Sequence, residues 1–481
     1  MSRTTDLTSL DRSTIALDGA RVEDLSARLH GELIRPGDDG YDDARRLFNG
    51  IHDKRPGLIA RCTGAADVRD SVDFAREHEV LLSIRGGGHN VAGTSSCEGG
   101  LMIDLSRLRS VRVDPDRRIA DVGPGATWGD VDRETQAFGL VAPGGVVSTT
   151  GVAGLTLGGG LGWVRRKYGM TIDSLLAVDM VTADGDFVRA SEEENQDLFW
   201  AVRGGGGNFG VVTSFRFRLH PLGPEIYLAA PMYPAEEARE ILPRWRDFCE
   251  TLDDETSGFA MFQTLPPADA FPEEARNQEV LALPAMYAGP VEEGQRVLQP
   301  LRELGTPVLD LSAVMPFEQL QQAFDWLFPW GGRYYWKTAT IPALDEEAID
   351  AIVGVGDSRS SPRTISAIWQ MGGAMSRIPP EDTAYGSRDA PWLLDCDSFW
   401  TDPEEDETHI RYTREAWERM SARSDGGMYL HYGVLEPQDR IRQAYGDNYD
   451  RLVEIKRRWD PHNLFRMNQN ISPEDGTEVR G

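Results

Sequence analysis

The distribution of glycine constrains the fold most, because half of the 50 glycines lie between Arg85 and Gly210. Three clusters stand out in this stretch, at residues 85–90 (RGGGHN), 154–163 (GLTLGGGLGW) and 203–210 (RGGGGNFG). Glycine has no Cβ, so this density marks backbone that turns tightly or closely approaches a ligand. Apolar runs separate the clusters, so the stretch is not a flexible linker.

Strand and helix patterns alternate around these clusters. Apolar runs predict strands at 80–84, 100–106 and 209–221, and two strands within 175–190. The turn between the last two is predicted at Ala183-Asp184-Gly185, because Asp-Gly is a hairpin signal. Helical spacing of apolar residues appears at 64–80 and 127–139. Mixed elements on short connections favour an α+β architecture.

The composition changes after Pro221, where glycine becomes less frequent. Amphipathic helices are predicted at 234–252 and 289–305, and strands at 333–341, 364–378 and 427–435. This pattern indicates an antiparallel sheet with helices on one side. A helix ending near Asp460-Pro461 and an extended arm follow. With 481 residues, the chain is too long for one ordinary core, so two domains or one large split domain are expected.

The composition is strongly acidic, with 78 acidic against 50 basic residues and a formal net charge of −28. This charge would repel nucleic acid and anionic membranes, so neither is expected as a partner. The basic residues are almost all arginine. An acidic, lysine-poor surface is typical of a high-salt cytoplasm and also of acidic proteomes from GC-rich genomes, and both interpretations stay open.

The cysteines at 62, 97, 249 and 396 form no CxxC pair, which predicts neither a metal site nor a disulfide framework. The N-terminal residues lack the apolar core of a signal peptide. No window offers the roughly 18 apolar residues of a membrane span. We therefore expect a cytoplasmic protein.

The glycine clusters do not fit the common nucleotide-binding motifs. None combines G-x-G-x-x-G with a following helix, and none contains the G-K-[ST] of a P-loop. Each cluster alone is more typical of a structural turn. Together, their unshielded backbone N–H groups predict a concave anion-binding surface. We expect a dinucleotide bound outside the Rossmann scheme.

Five ordered motifs then resemble one family. They are SIRGGGHNVAG, VGPGATWGDV, the stretch 144–175, the stretch 198–215 and WDPHNLFRMNQNI. In this combination the chain resembles the berberine bridge enzyme-like flavoprotein oxidases, which have the FAD fold of the p-cresol methylhydroxylase and vanillyl-alcohol oxidase (PCMH) type. The resemblance is dense over 51–221 and 445–471, and loose between.

The resemblance implies an α+β fold with a two-subdomain PCMH-type FAD-binding domain that the C-terminal segment closes. A substrate domain, an antiparallel sheet covered by helices, is inserted into it. The expected boundaries are an N-terminal extension at 1–50, the FAD-binding domain at 51–222, the substrate domain at 223–437 and the C-terminal segment at 438–481.

The resemblance also implies the FAD contacts. The expected cofactor-binding residues are Arg85, Gly86, Gly87, Gly88, His89, Asn90, Val147, Ser148, Gly151, Gly154, Gly158, Gly162, Asn208, Gly210, Val212 and Asn468. His89 stands where the family bonds the flavin 8α-methyl carbon, and neutral imidazole is a suitable nucleophile. Val147 stands where many relatives have a second, cysteinyl attachment, so a single link through His89 is expected. Thr150 matches a small residue that leaves room for oxygen.

The substrate side is less defined by the sequence. Oxidation requires a group that accepts the O–H or N–H proton, and some relatives use a glutamate near 372–378, where this chain has Arg377 and no carboxylate. We expect Tyr445 or Tyr429 as base, with Lys337 lowering its pKa. Tyr335, Gln370 and Tyr432 are the expected substrate contacts. His409 and His431 lack metal-ligand spacing, so no metal is expected.

The expected function is oxidation of an alcohol or amine C–H by FAD, which carries the redox chemistry, with oxygen regenerating the cofactor and yielding hydrogen peroxide. A dehydrogenase with another electron acceptor is the alternative. A flavin-binding protein without turnover is a third, weaker hypothesis.

Overall fold

The computed structural model describes residues 4–475. The outermost residues of the predicted N-terminal extension and C-terminal segment, 1–3 and 476–481, lie outside the described residues. The elements of the first part are β1 (Thr4–Thr8), β2 (Thr14–Asp18), α1 (Gly19–Arg28), β3 (Glu32–Ile34), α2 (Tyr41–Arg45), β4 (Leu58–Arg61), α3 (Ala65–Glu77), β5 (Leu82–Arg85) and β6 (Leu101–Asp104). The second part contains β7 (Val111–Asp114), β8 (Ile119–Val122), α4 (Trp128–Gln136), β9 (Leu140–Val141), α5 (Val152–Leu157), α6 (Arg165–Tyr168), β10 (Leu175–Val181), β11 (Phe187–Ser191), α7 (Gln196–Val202), β12 (Val211–Arg218) and β13 (His220–Pro221).

The remaining elements form the third part and the C-terminal segment. The third part contains β14 (Glu225–Ala229), β15 (Pro231–Pro234), α8 (Ala238–Glu250), β16 (Thr256–Thr264), β17 (Glu279–Ala282), β18 (Ala285–Tyr287), α9 (Val291–Leu298), β19 (Leu309–Asp310), β20 (Ala313–Pro316), α10 (Phe317–Gln322), β21 (Arg333–Ile341), α11 (Glu346–Asp357), β22 (Ile365–Gln370), β23 (Trp392–Trp400) and α12 (Asp406–Ser421). The C-terminal segment contains α13 (Gln438–Tyr445) and α14 (Tyr449–Trp459).

The first subdomain is a four-stranded sheet in the order β3-β4-β6-β5, in which β4, β6 and β5 run parallel. Parallel strands buried on both faces are near-continuously apolar, as β6 is. The N-terminal residues are integrated here, because Leu7 and Leu25 share one buried core with Leu58 and Leu101. Residues 4–45 are therefore part of this subdomain and supply its edge strand β3.

The second subdomain is an antiparallel five-stranded sheet in the order β11-β10-β12-β8-β7. The predicted hairpin is confirmed, since β10 pairs with β11 and Gly185 has a φ of +83° in the turn. The C-terminal segment packs on this sheet, where Leu452 and Ile471 share a buried core with Phe199 and Phe215. The chain thus returns to this domain after the third part, as expected.

The third part is a ten-stranded sheet whose registered strand pairs are antiparallel. On one face lie α8, α11 and α12, and Trp245, Ile352 and Ala416 share a core there. The opposite face carries Phe259 and Trp369 toward the glycine-rich part of the chain. Strand side chains alternate between faces, so the register decides which residues reach that side.

Two local predictions differ from the structure, and one strand was not predicted. Strand β22 ends at Gln370, and a 3-10 helix at Gly373–Arg377 follows, because Gly372 and Gly373 adopt φ values of +86° and +66°. Residues 427–435 form turns instead of a strand. The central strand β23 was not predicted, since its aspartates interrupt the apolar pattern.

Candidate active site

A large cavity lies between the glycine-rich loops of the first two subdomains and the sheet of the third part. One wall is backbone from the glycine-rich loops, with residues 86–90, 145–147 and 206–207, and the C-terminal arm 467–469 lies beside it. The other wall is the sheet face and the loop 429–435. A backbone wall facing a side-chain wall suits a flat cofactor with a substrate above it.

The glycine wall depends on close backbone approach. A Cβ on Gly87 would lie 2.4 Å from Gly151 Cα, and one on Gly151 would lie 2.6 Å from Gly87 Cα. No real Cβ contact is that short, so both loops need glycine where they touch. Gly88 adopts a φ of +69° directly before His89, a conformation that glycine enters freely.

His89 is held in an aromatic stack at the rim of this wall. Its ring stacks on Phe48 at a centroid distance of 3.8 Å, and Phe48 stacks on Tyr334 at 4.4 Å. Burial lowers the pKa of His89 to about 4, so the imidazole is neutral at physiological pH. A neutral, oriented imidazole is the form that can act as a nucleophile.

The cavity fits the FAD that the resemblance implies. The Asn468 Oδ1 atom is buried without a hydrogen-bond partner, while its Nδ2 donates to Gly207 O at 3.0 Å. A Cβ on Gly154 or Gly207 would meet nothing within 4 Å, although both glycines line the cavity. An unpaired acceptor, open backbone and a neutral histidine together make a site for a large polar cofactor.

The predicted cofactor residues divide into two groups. Those that line the cavity are Gly86, Gly87, Gly88, His89, Asn90, Val147, Gly151, Gly154, Gly210, Val212 and Asn468, together with Thr150. Those outside the lining are Arg85, Ser148, Gly158, Gly162 and Asn208.

The second group makes structural contacts instead. The Arg85 guanidinium donates to Ala44 O, and Ser148 Oγ donates to Asp325 Oδ2 at 2.6 Å. Asn208 Oδ1 accepts from Ile471 N at 3.0 Å, which pins the C-terminal arm. Gly158 lies against His431, and a Cβ on Gly162 would lie 2.0 Å from Gly144 O. These residues shape the wall without facing the cavity.

Two predicted residues of β21 lie on the wrong face. Trp336 and Thr338 line the cavity, so alternation directs Tyr335 and Lys337 to the helical side. There Tyr335 Oη accepts from Arg414 Nε at 3.0 Å, and Lys337 pairs with Glu436. The placement of Tyr335 and Lys337 in the cavity is therefore corrected, because the strand was recognised but its register was not.

Gln370 also faces away from the cavity, since its Nε2 donates to Cys249 O at 2.8 Å. Tyr445 lies behind the cavity wall and contacts His431 Nε2 through its Oη at 3.0 Å. Tyr429 does line the cavity, and its Oη accepts from Gly160 N at 3.0 Å. Burial raises the pKa of Tyr429 to about 12 and that of Tyr445 further, contrary to the lowered pKa expected of a base.

Two carboxylates that the sequence analysis missed face the cavity from β23. Asp395 and Asp397 are 2% and 3% exposed and lie two residues apart, hence on one face. Asp395 accepts from Trp369 Nε1 at 2.5 Å and from Ala367 N at 3.0 Å. Charged residues within an otherwise apolar nine-residue run, WLLDCDSFW, were the available signal.

Tyr432 and Asp397 form a hydrogen-bonded pair. The Tyr432 Oη donates to Asp397 Oδ2 at 2.5 Å, and Asp397 Oδ1 has no partner within residues 4–475. Burial and then the charge of Asp395 raise the pKa of Asp397 well above its usual range. Burial raises the pKa of Asp395 to about 6. Burial and the charges of Asp397 and Asp395 also raise the pKa of Tyr432 well above its usual range. The tyrosine can therefore relay a proton from the cavity, and the carboxylate is the group that can accept it.

The part of the chain that the structure describes contains no cluster of three metal-ligating His, Cys, Asp or Glu side chains. Within residues 4–475, no helix combines the length and apolarity needed to cross a membrane.

Comparison with known proteins agrees with this geometry. Residues 56–191 match the family described as FAD binding domain, and residues 428–472 match the family described as berberine and berberine like. The chain is 31% identical to the FAD-linked oxidoreductase YgaK of Bacillus subtilis, covering 93% of this chain and 98% of that protein. It is also 31% identical to (R)-6-hydroxynicotine oxidase of Paenarthrobacter nicotinovorans, over 93% and 97% of the two chains.

The fold comparison is equally extensive. The crystal structure of a 6-hydroxy-D-nicotine oxidase from Arthrobacter nicotinovorans superposes with a TM-score of 0.83 at 28% identity. The match covers 93% of this chain and 98% of that one, which confirms the PCMH-type α+β fold. The chain is an enzyme that belongs to the berberine bridge enzyme-like FAD-linked oxidoreductases.

Proposed function

We propose that this enzyme is an oxidase in which the Tyr432–Asp397 pair accepts the substrate proton. Bound FAD would supply the acceptor for the hydride that leaves the substrate carbon. The observation that carries the proposal is the 2.5 Å bond between Tyr432 Oη and Asp397 Oδ2 at the cavity wall. The substrate O–H or N–H proton passes to Tyr432 Oη as the Tyr432 proton passes to Asp397.

His89 is proposed as the single covalent attachment point. Its neutral ring and its stack on Phe48 support this role. Val147 lines the cavity where a second attachment would need a thiol, and none of the four cysteines lines the cavity. Mass spectrometry of the denatured chain is expected to show flavin on the peptide that contains His89 and on no other.

Oxygen is the proposed electron acceptor. Thr150 lines the cavity, and its small side chain is compatible with oxygen reaching the flavin. A screen of alcohols and amines, read by peroxide release, should identify a substrate with one peroxide formed per oxygen consumed. Slow reoxidation in air after anaerobic reduction would instead identify a dehydrogenase.

Replacing the pair tests the proton path directly. In anaerobic stopped-flow measurements with the best substrate of that screen, Tyr432→Phe and Asp397→Asn should each slow flavin reduction by about 10²–10⁴-fold, the usual contribution of general base catalysis. Tyr335→Phe is the matched control, because Tyr335 lies on the helical side of the same sheet. Unchanged reduction rates in both cavity variants would exclude the pair as the base.

A further inference from the structure

The carboxyl groups of the cavity have no compensating cation. Asp395 and Asp397 line it, whereas no lysine or arginine does within residues 4–475. The lining histidines His89 and His431 are neutral, since burial lowers each pKa to about 4. Lys337, the lysine of the adjoining strand β21, pairs with Glu436 on the other side.

Asp395 differs from Asp397 in its contacts. Both Asp395 oxygens accept hydrogen bonds, from Trp369 Nε1 and Ala367 N, which hold the carboxylate in one orientation. Neither aspartate forms an ion pair within the described residues. A buried carboxylate without a cation is costly, so a ligand that brings a positive charge stabilises the site.

The rest of the substrate wall is apolar and aromatic. Besides Trp336 and Trp369, the cavity is lined there by Phe259, Phe324, Phe328 and Met261. Aromatic faces attract organic cations and pack against flat apolar bodies. The wall offers few partners for the many hydroxyl groups of a sugar.

We propose that the substrate is a cationic amine with an apolar, ring-sized body, and that Asp395 is its counter-charge. This inference rests on the proposed function of the same cavity. The substrate R₂CH–NH₂R′⁺ loses its N–H proton through Tyr432 to Asp397, and its C–H hydride to the bound FAD, as a C=N bond forms. The product R₂C=NHR′⁺ is also a cation, so the charge opposite Asp395 is the same before and after the reaction.

This constancy separates the roles of the two aspartates. A contact equally strong in the ground state and the transition state changes KM without changing kcat. At a pH where Asp397 is ionised, loss of Asp395 should therefore raise KM for amines without lowering kcat, whereas loss of Asp397 lowers kcat. Asp395 is a specificity-determining residue.

The test compares ligands of one shape and different charge. Binding of 1-phenylethylamine, 1-phenylethanol and 2-phenylpropionate to the holoenzyme is measured by anaerobic calorimetry, and the cyclohexyl analogues provide a second skeleton. The amine should bind at least about tenfold more tightly than the alcohol, because a buried charge pair contributes that much or more. The carboxylate should bind least.

Variants then locate the effect. Asp395→Asn should reduce the preference for amine over alcohol by about tenfold and leave binding of the alcohol unchanged. Asp450→Asn, an exposed aspartate of α14, is the matched control. The proposal is overturned if the wild type binds amine and alcohol equally, binds the carboxylate more tightly, or binds neither amine. These outcomes do not depend on whether the variant folds. A folded Asp395→Asn enzyme with full amine preference also overturns it.

The outcome for the proposed function is separate. Amines that bind with the expected preference but cannot reduce the flavin would contradict the proton path and leave the ligand class intact. Oxidation of alcohols without any preference for amines would contradict the ligand class and leave the proton path intact.

Discussion

The two walls of the cavity use different parts of the polypeptide. The glycine wall presents backbone, and contacts such as Gly87 against Gly151 depend on the absence of side chains. The sheet wall presents side chains, and a shift of one residue in β21 or β23 would replace every group that the shifted strand contributes to the cavity. A backbone surface is encoded locally by residue type, whereas a side-chain surface is encoded by register across distant strands.

The largest expected effect concerns the glycine wall. His89→Ala should abolish covalent attachment of flavin, because the imidazole of His89 is the group on that wall that is proposed to bond to the flavin. Fluorescence of the acid-denatured chain on a gel measures the attached flavin. His462→Ala is the control, as that histidine lies in an exposed turn of the C-terminal arm. Covalent flavin that persists in the His89 variant would contradict the assignment.

The next prediction concerns the sheet wall and pH. Only ionised Asp397 accepts a proton, and burial with the charge of Asp395 raises its pKa. The rate of flavin reduction should therefore rise with pH and fall about tenfold per pH unit below that pKa. Asp395→Asn removes the neighbouring charge, lowers the pKa of Asp397 and should shift the profile to lower pH. The hydrogen bond from Tyr432 lowers the pKa of Asp397, and burial and the charge of Asp395 outweigh it. An unchanged pH profile in Asp395→Asn would contradict the proposed effect of the Asp395 charge on Asp397.

A pair of glycine variants separates packing from cofactor contact. Gly87→Ala should destabilise the fold by about 1–3 kcal/mol, because its Cβ would overlap Gly151. Gly207→Ala should leave the thermal unfolding temperature of the flavin-free protein unchanged, since its Cβ meets no protein atom. The same variant should weaken FAD binding, measured by equilibrium dialysis in a His89→Ala background, in which the proposed covalent bond cannot form. Equal stability of both apoproteins would contradict this division.

The smallest effect is expected where the walls meet. Phe48 stacks between His89 and Tyr334, and Phe48→Leu keeps its apolar bulk while removing the stacking, which contributes about 0.5–1.5 kcal/mol. Covalent attachment of added FAD should slow severalfold. Phe48→Tyr, which keeps an aromatic ring, should restore the rate. An unchanged rate in the leucine variant would show that the stack does not orient His89.

This comparison explains what the sequence could predict. The glycine loops, the β10–β11 hairpin and strand β21 were predicted because their signals are short and local, whereas only the family resemblance singled out His89. The cavity-facing residues of β21 were not, because nothing local indicates which face of a strand is covered by helices. Tyr335 and Lys337 were therefore selected in place of Trp336 and Thr338.

The carboxylates were missed for a related reason. Aspartate is unfavourable in strands, so Asp395 and Asp397 made the sequence of β23 look unlike a strand. Its pairing with β21 and β22, which are distant in sequence, stabilises it as one. The loop that carries Tyr429 and Tyr432 was predicted as a strand from its composition. As a turn, it directs both tyrosines into the cavity.

The C-terminal arm has a consequence for biosynthesis. Phe465, Met467, Asn468 and Gln469 line the cavity, and Asn208 and Lys456 hold the arm in place through Ile471 N and Phe465 O. A ribosome translates His89 nearly 380 residues before this arm. The nascent chain cannot enclose the cofactor while the arm is still in the exit tunnel, so the cavity is completed only after the arm has been translated.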